Sequence, residues 1–130
     1  MTIFSKIIRG EIPCYKVAED DRFFAFLDIR PMTKGHTLVV PKIETDYLFD
    51  LPDEWLADMM VFAKKVAVAI KTVVPCKRVG VAVLGMEVPH EHIHLVPLSK
   101  ESDLSFQNSP VEISREDMAA LAAEIAKAVK

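Results

Sequence analysis

One uninterrupted segment, residues 51–73, constrains the fold of this chain more than any other. It has no glycine and no proline after Pro52, and apolar side chains recur in it at helical spacing. The predicted apolar stripe consists of Leu56, Met59, Met60, Ala63, Val66, Ala67 and Ile70. Pro52 and the two acids after it suit a helix N-terminus, and Pro75 ends the pattern. The sequence therefore predicts one long helix over residues 53–73.

Short segments rich in β-branched and aromatic residues flank this helix on both sides. The predicted strands are residues 14–17, 23–27, 36–40, 78–84 and 89–97. An acidic turn, residues 19–21, joins the first two. A short helix over residues 3–9 precedes the strands, and Ser114 is the predicted N-cap of a C-terminal helix. This order predicts an α+β fold with a roughly five-stranded antiparallel sheet.

The composition is that of an ordinary globular protein. The 130 residues are 51% hydrophobic, and we expect residues 1–130 to form a single domain. The net charge of -3 argues against broad nucleic-acid binding, because basic side chains must neutralise many phosphates, but it allows a small ligand. The chain lacks a signal-like apolar segment, and Cys14 and Cys76 lack CxxC spacing. We therefore expect a cytoplasmic protein with free thiols.

Three of the four histidines, His90, His92 and His94, occupy alternate positions of one short run. If this run is a strand, the three imidazoles emerge on one face and Glu91 on the other. Residues four apart on a strand are about 13 Å from each other, whereas Zn–N bonds are about 2 Å. One flat strand cannot easily bring all three rings to one ion. The row therefore favours catalysis or phosphate binding over a metal site or an incidental cluster.

Several segments together resemble a known family. Besides His-x-His-x-His, they are the run Gly35–Lys42, which reads Gly-His-x-Leu-Val-x-Pro-Lys, the N-terminal run 3–13, the acidic turn 19–21 and the segment 26–31. In this order they are similar to the histidine triad (HIT) superfamily of nucleotide hydrolases and transferases, in particular its bacterial nucleotide-binding branch. The resemblance covers residues 3–97. It implies a HIT-like fold and a homodimer, and we expect no cofactor.

The resemblance implies nucleotidyl transfer to a histidine of the protein. In the family the middle triad histidine is the nucleophile, which assigns to His92 the attack on the α-phosphorus of a nucleoside monophosphate conjugate. The main-chain carbonyl of the first triad histidine, here His90, fixes the nucleophile's Nδ1–H. His94 and His36 flank the site and assist phosphate binding. The expected function is that of a nucleoside phosphoramidase acting on a purine nucleotide conjugate through a nucleotidyl-histidine intermediate.

Other functions fit the same residues. A dinucleoside polyphosphate hydrolase would differ in its leaving group, which is a nucleotide rather than an amine. A nucleotide-binding regulatory module would keep the site with weak catalysis. A metal-binding protein would use His90 and His92 as ligands.

Nucleotide recognition follows from the same resemblance. Asp28 matches the family's acceptor for the ribose hydroxyls, and Ile3, Phe4, Phe26 and Ile29 match the apolar pocket for the base. The alternative for the four apolar residues is ordinary core packing, and for Asp28 a turn at the end of a strand.

The segment before the triad departs from the family pattern. Gly85, Met86 and Glu87 stand where this branch usually has Gly-Gln-Ser, a segment we assign to nucleotide and leaving-group contacts. An ionised Glu87 would repel a phosphate, so it must point away, be protonated or donate a proton to the leaving group. Glu91, between the first two triad histidines, is expected to be solvated or paired with a lysine.

A second departure concerns zinc. Some relatives carry a structural zinc that is bound partly by an N-terminal CxxC motif. Thr2 and Ser5 occupy those two places in this chain, and Glu44 stands where a downstream histidine would be expected. The sequence therefore predicts that no metal is bound.

Overall fold

The computed structural model describes residues 1–130, which form three helices and five strands. The helices are α1 (Ile3–Ile8), α2 (Asp53–Val73) and α3 (Arg115–Ala128). The strands are β1 (Lys16–Glu19), β2 (Phe23–Leu27), β3 (Thr37–Pro41), β4 (Arg78–Ala82) and β5 (Ile93–Leu98). Two short 3₁₀ turns cover Leu48–Asp50 and Glu101–Asp103. None of the three helices combines the length and the apolar character that a membrane span requires.

All five strands form one antiparallel sheet in the order β1-β2-β3-β5-β4. The predicted α+β architecture is confirmed. β3 and β5 are direct neighbours although α2 and β4 lie between them in the chain. Their register pairs Leu38 with His94 and Thr37 with Leu95. This pairing brings the segment around His36 beside the histidine-rich run.

One face of the sheet is covered by the two longer helices. Alternate residues of β2 (Phe23, Ala25, Leu27) and of β5 (Ile93, Leu95) point to this face and belong to one buried cluster with α2 and α3. The bounds of α2 agree with the prediction, because Pro52 precedes the helix and the backbone is extended at Val74.

The opposite face carries a smaller apolar cluster beneath α1. Phe24 and Phe26 of β2 and Leu38 of β3 pack there against Phe4 and Ile7 of the helix. Because Leu38 is paired with His94, the imidazole of His94 belongs to the same face. The short helix α1 therefore lies beside the histidines rather than in the main core.

The structure corrects several element boundaries. β1 runs to Glu19 because the Asp20 carboxylate accepts hydrogen bonds from the backbone N–H groups of Arg22 and Phe23, each at 2.8 Å, which places the turn after Glu19. β4 ends at Ala82 rather than residue 84. β5 begins only at Ile93, so two of the three triad histidines precede the strand.

The predicted stripe of α2 was wrong at Met60 and missed two buried positions. Met60 is exposed, whereas Phe62 and Ala69, which the stripe omitted, are buried. Successive helical residues are about 100° apart, so Met60 lies outside the buried face that contains Met59 and Ala63.

Ser114 is the N-cap of α3, as predicted, and accepts from the N–H of Asp117 at 3.1 Å.

Gly35 yields a test of how the loop before His36 is held. Its φ of +97° favours glycine, and an added Cβ would lie 3.0 Å from Val74 Cγ2 and 3.1 Å from Pro97 Cγ. Gly35→Ala should lower the free energy of unfolding by roughly 2–4 kcal/mol. Gly10→Ala is the matched control, because the φ of Gly10 is +80° but nothing lies within 4 Å of a Cβ added there. It should lower that free energy by about 1 kcal/mol. Equal losses in urea denaturation would contradict this account.

Candidate active site

The β3–β5 pairing joins the imidazoles of His36 and His94. Nε2 of His36 lies 2.9 Å from Nδ1 of His94, and Nδ1 of His36 accepts a hydrogen bond from the backbone N–H of Met32 at 3.0 Å. Because Nδ1 of His36 is an acceptor, the neutral ring carries its proton on Nε2 and donates it to His94. His94 therefore carries its own proton on Nε2.

Both rings are held in the neutral state. Burial, together with smaller effects of the neighbouring His36 and His92, lowers the pKa of His94 to about 3. Burial also lowers the pKa of His36, against the opposing effect of the Asp28 carboxylate. At neutral pH, His94 is thus a neutral hydrogen-bond donor.

His92 has the opposite tautomer. Its Nδ1 donates a hydrogen bond to the carbonyl oxygen of His90 at 2.9 Å, so Nε2 carries the lone pair. The His92 and His94 rings are neighbours, with centroids 4.9 Å apart. Neither Nε2 has a hydrogen-bond partner. The two carboxylate oxygens of Glu91 are the only side-chain atoms that are both fully buried and unpartnered, so neither Nε2 is fully buried. A free lone pair and a free N–H therefore both reach solvent from adjacent rings.

Both ring nitrogens of His90 are engaged. Nε2 donates to the carbonyl oxygen of Pro41 at 2.7 Å, and Nδ1 lies 2.7 Å from the Thr2 hydroxyl. The residue is fully buried, and burial lowers its pKa. His90 has no lone pair to offer a substrate or a metal, and it contributes its main-chain carbonyl to the site.

Asp28 lies at the edge of this group. One carboxylate oxygen is 3.6 Å from Nε2 of His36, and the other accepts from the N–H of Arg30 at 2.8 Å. The backbone N–H of Asp28 donates to the carbonyl of His36 at 2.9 Å. The side chain thus forms a turn, as the alternative interpretation expected, and is also directed at the histidines.

The four residues predicted for the base pocket fall into two groups. Phe4 and Phe26 are buried with ring centroids 5.7 Å apart, and Phe4 also contacts the His92 ring edge to face at 5.0 Å. Ile3 and Ile29 are exposed, Ile29 by 76%. Core packing accounts for the two aromatic residues, whereas the two isoleucines have free surface for a ligand.

The segment 85–87 lies in the loop between β4 and β5. Gly85 has a φ of +73°, which favours glycine. Met86 is 86% exposed, and Glu87 is exposed and makes no hydrogen bond or ion pair. The structure does not bring these two side chains into the histidine network.

Residues 9–101 match the model of the HIT domain family. The chain belongs to this family. It is 38% identical over 131 residues to the adenosine 5'-monophosphoramidase hnt1 of Schizosaccharomyces pombe, with 98% of each chain covered. It is 44% identical over 101 residues to the adenosine 5'-monophosphoramidase HNT1 of Saccharomyces cerevisiae, covering 76% of this chain and 63% of that protein.

A solved structure of the HIT family has the same fold. The crystal structure of a zinc-bound histidine triad family protein from Mycobacterium smegmatis is 32% identical. It matches with a TM-score of 0.81 over 98% of this chain and 91% of that one. The HIT-like fold that the sequence motifs implied is therefore confirmed.

The positions that the family resemblance links to a structural zinc do not fit zinc here. Thr2, Ser5 and Glu44 do come together, next to His90, but through hydrogen bonds. Two hydroxyl groups replace the thiolates that zinc favours, and both nitrogens of His90 already have partners.

A second group of possible ligands is equally unsuited to a metal. Ligand atoms of Asp28, His36 and His94 lie within 4.8 Å of one another. To bind an ion through Nε2, His36 would have to move its proton to Nδ1, where the Met32 N–H already donates. The absence of a metal stays a prediction, and this geometry supports it.

Sequence reasoning missed three contributors to the site. The Thr2 hydroxyl bonds to His90, and the backbone N–H of Met32 sets the tautomer of His36. A main-chain donor leaves no trace in a residue pattern. Phe106 lies edge-on to the His94 ring with centroids 4.9 Å apart. The sequence could have indicated Phe106, because it is the only aromatic residue in the otherwise polar segment 99–110.

The expectation for Glu91 was wrong. It is 1% exposed, and neither carboxylate oxygen has a hydrogen-bond partner. The prediction assumed that the face opposite the histidines is open to water, but Ile93 and Leu95 on that face are buried beneath the helices. Burial raises the pKa of Glu91 to about 8, so the carboxyl group is largely protonated at neutral pH.

The raised pKa of Glu91 predicts a specific pH dependence of stability. Because the ordinary pKa of this carboxyl is 4.5 and its folded-state pKa is about 8, the stabilisation is fully present below pH 4.5 and is lost as the pH rises through 8. The expected loss is about 2 kcal/mol at pH 6 and about 4 kcal/mol at pH 8. Glu91→Gln cannot titrate, so its free energy of unfolding relative to wild type should improve by about 2 kcal/mol between these two pH values. Parallel curves for both proteins would contradict a buried, protonated Glu91.

Proposed function

We propose that this HIT-type hydrolase cleaves nucleoside monophosphate conjugates, in particular phosphoramidates, through a nucleotidyl intermediate on His92. The observation that carries the proposal is the pairing of opposite tautomers. Nε2 of His92 has a free lone pair, and the adjacent His94 has a free N–H. A neutral imidazole is nucleophilic near neutral pH, and a neighbouring N–H can stabilise the charge that develops on a phosphoryl oxygen.

In the first step, Nε2 of His92 attacks the α-phosphorus. The P–Nε2 bond forms as the bond from phosphorus to the amine breaks, and the departing amine takes its proton from water. His92 becomes an imidazolium, which its Nδ1–H bond to the His90 carbonyl stabilises. In the second step, water attacks the phosphorus and gives a proton to solvent, which offsets the hydroxide formed in the first step. The P–Nε2 bond breaks, and a nucleoside monophosphate and neutral His92 are released.

The surroundings of the triad support nucleotide recognition. Asp28 has a carboxylate oxygen directed toward the histidine group, within reach of ribose hydroxyls in the role that the family resemblance assigns to it. Ile3 and Ile29 present exposed apolar surface for a purine base. The exposed Met86 and Glu87 leave the leaving group without a fixed polar contact from this segment.

The named relatives favour an amine as the leaving group. The two yeast proteins are named adenosine 5'-monophosphoramidases, and the match to the protein of S. pombe covers 98% of both chains. We therefore place adenosine phosphoramidates ahead of dinucleoside polyphosphates as substrates.

The proposal includes the organisation of the protein. We take residues 1–130 as one domain, since α1 and α3 lie on opposite faces of one sheet. We also propose a cytoplasmic homodimer that binds neither nucleic acid nor a cofactor. The two free cysteines, Cys14 and Cys76, support a reducing compartment.

Kinetics on matched substrates test the proposal. Wild type should hydrolyse adenosine 5'-phosphoramidate with a higher kcat/KM than diadenosine tetraphosphate. His92→Ala should lower kcat by at least about 10⁴-fold, because the nucleophile is lost. AMP binding and the unfolding midpoint of the variant are the controls for an intact site. A variant that keeps a tenth of the activity would remove His92 from the mechanism, and AMP binding without turnover of either substrate would favour a binding module.

A further inference from the structure

Four polar side chains form a cluster at the start of α1. The Thr2 hydroxyl lies 2.7 Å from Nδ1 of His90 and accepts from the backbone N–H of Ser5 at 3.1 Å. One carboxylate oxygen of Glu44 accepts from the Ser5 hydroxyl at 2.6 Å and from the backbone N–H of Thr2 at 2.8 Å. The cluster links the N-terminus, the segment after β3 and the first triad histidine, which are remote in sequence.

The positions of the protons in this cluster follow from its ends. Nε2 of His90 must carry a hydrogen because its partner is the Pro41 carbonyl oxygen, so Nδ1 has a lone pair. The Thr2 hydroxyl has one proton, and Nδ1 of His90 is closer to it than the Ser5 hydroxyl oxygen, at 2.7 Å against 3.2 Å. Thr2 therefore donates to His90. Ser5 in turn donates to Glu44.

We propose that Thr2 is a positioning residue for the nucleophile, acting through His90. The proposal rests on the function proposed for His92. Thr2 and Pro41 hold the two ends of the His90 ring. The main-chain carbonyl of His90 accepts the Nδ1–H of His92. The ring of His90 thereby fixes the backbone that orients the attacking nitrogen.

The hydroxyl of Thr2 performs two tasks that few side chains combine. It accepts from Ser5 N–H as the N-cap of α1, and it donates to His90. Serine can do both, whereas valine has the same shape and can do neither. Without Thr2, Nδ1 of His90 is a buried acceptor with no partner, and the ring gains freedom to turn.

The cluster occupies the place where some relatives bind structural zinc, but its chemistry is different. A set of directional hydrogen bonds holds His90 in one neutral tautomer, and no metal is needed for this. We therefore expect the positioning of His90 to persist in protein stripped of metal by a chelator.

Three substitutions test the role of Thr2 on adenosine 5'-phosphoramidate. Thr2→Val should lower kcat about tenfold with a smaller change in KM, because the substitution misorients Nε2 of His92 and leaves nucleotide binding in place. Thr2→Ser should restore kcat to within about twofold of wild type. Thr72→Val is the matched control, because it removes a threonine hydroxyl that bonds only to the Val68 carbonyl on the exposed side of α2. A Thr2→Val variant that raises only KM would reduce Thr2 to a helix cap and overturn the proposal.

Ring-nitrogen NMR separates failure of this proposal from failure of the proposed function. In wild type, treated with a chelator, His90 should show a protonated Nε2 and an unprotonated Nδ1. Thr2→Val should keep the hydrogen on Nε2, where the Pro41 carbonyl holds it, but should shift the Nδ1 signal of His90, which loses its hydrogen-bond donor, and weaken the hydrogen-bonded Nδ1–H signal of His92. Thr2→Ser should keep both signals as in wild type. A protonated Nδ1 on wild-type His90, or identical spectra for wild type and Thr2→Val, would overturn the proposal whether or not any substrate is turned over.

Discussion

The hydrogen bond from Nδ1 of His92 to the carbonyl oxygen of His90 is the interaction on which the site depends. It decides which nitrogen of His92 is free, and it holds the positive charge of the ring once that nitrogen has reacted. The acceptor residue of this bond, and separately the proton of the neighbouring His94, are fixed from outside the triad. Thr2 and Pro41 hold His90, while a chain from the Met32 N–H through His36 sets the proton of His94. Two adjacent imidazoles thus present complementary groups, one basic and one donating.

Burial lowers the pKa of His36, His90 and His94, and it also encloses the acid Glu91 at a cost in stability. His94 and His90 lie against the sheet with lowered pKa values, so they act as donors and acceptors without carrying charge. Glu91 lies between triad residues and is buried without a partner, which raises its pKa. The triad histidines occupy one side of this run, and the buried core closes the other side. The Glu91 carboxylate therefore has no path to water.

The helix α2 and the sheet were predictable because their signals are local. A proline-free amphipathic segment and runs of β-branched residues need no distant partner to be recognised. Glu91 was wrongly predicted to be solvated or paired with a lysine. Strand alternation predicts on which face of the sheet a residue lies, but not whether a helix covers that face. The network of the histidines depends on the hydroxyl of Thr2 and the main-chain groups of Met32 and Pro41, which only the folded chain brings near them.

The most direct test of the account is the identity of the atom that becomes nucleotidylated. Wild-type protein with ¹⁵N-labelled histidine would be mixed with adenosine 5'-phosphoramidate, quenched during turnover, and analysed by peptide mapping and by ³¹P–¹⁵N coupling. The account predicts an adenylyl group on Nε2 of His92, because that nitrogen carries the free lone pair. A modified His90, His94 or His36, or phosphorus bonded to Nδ1 of His92, would contradict it.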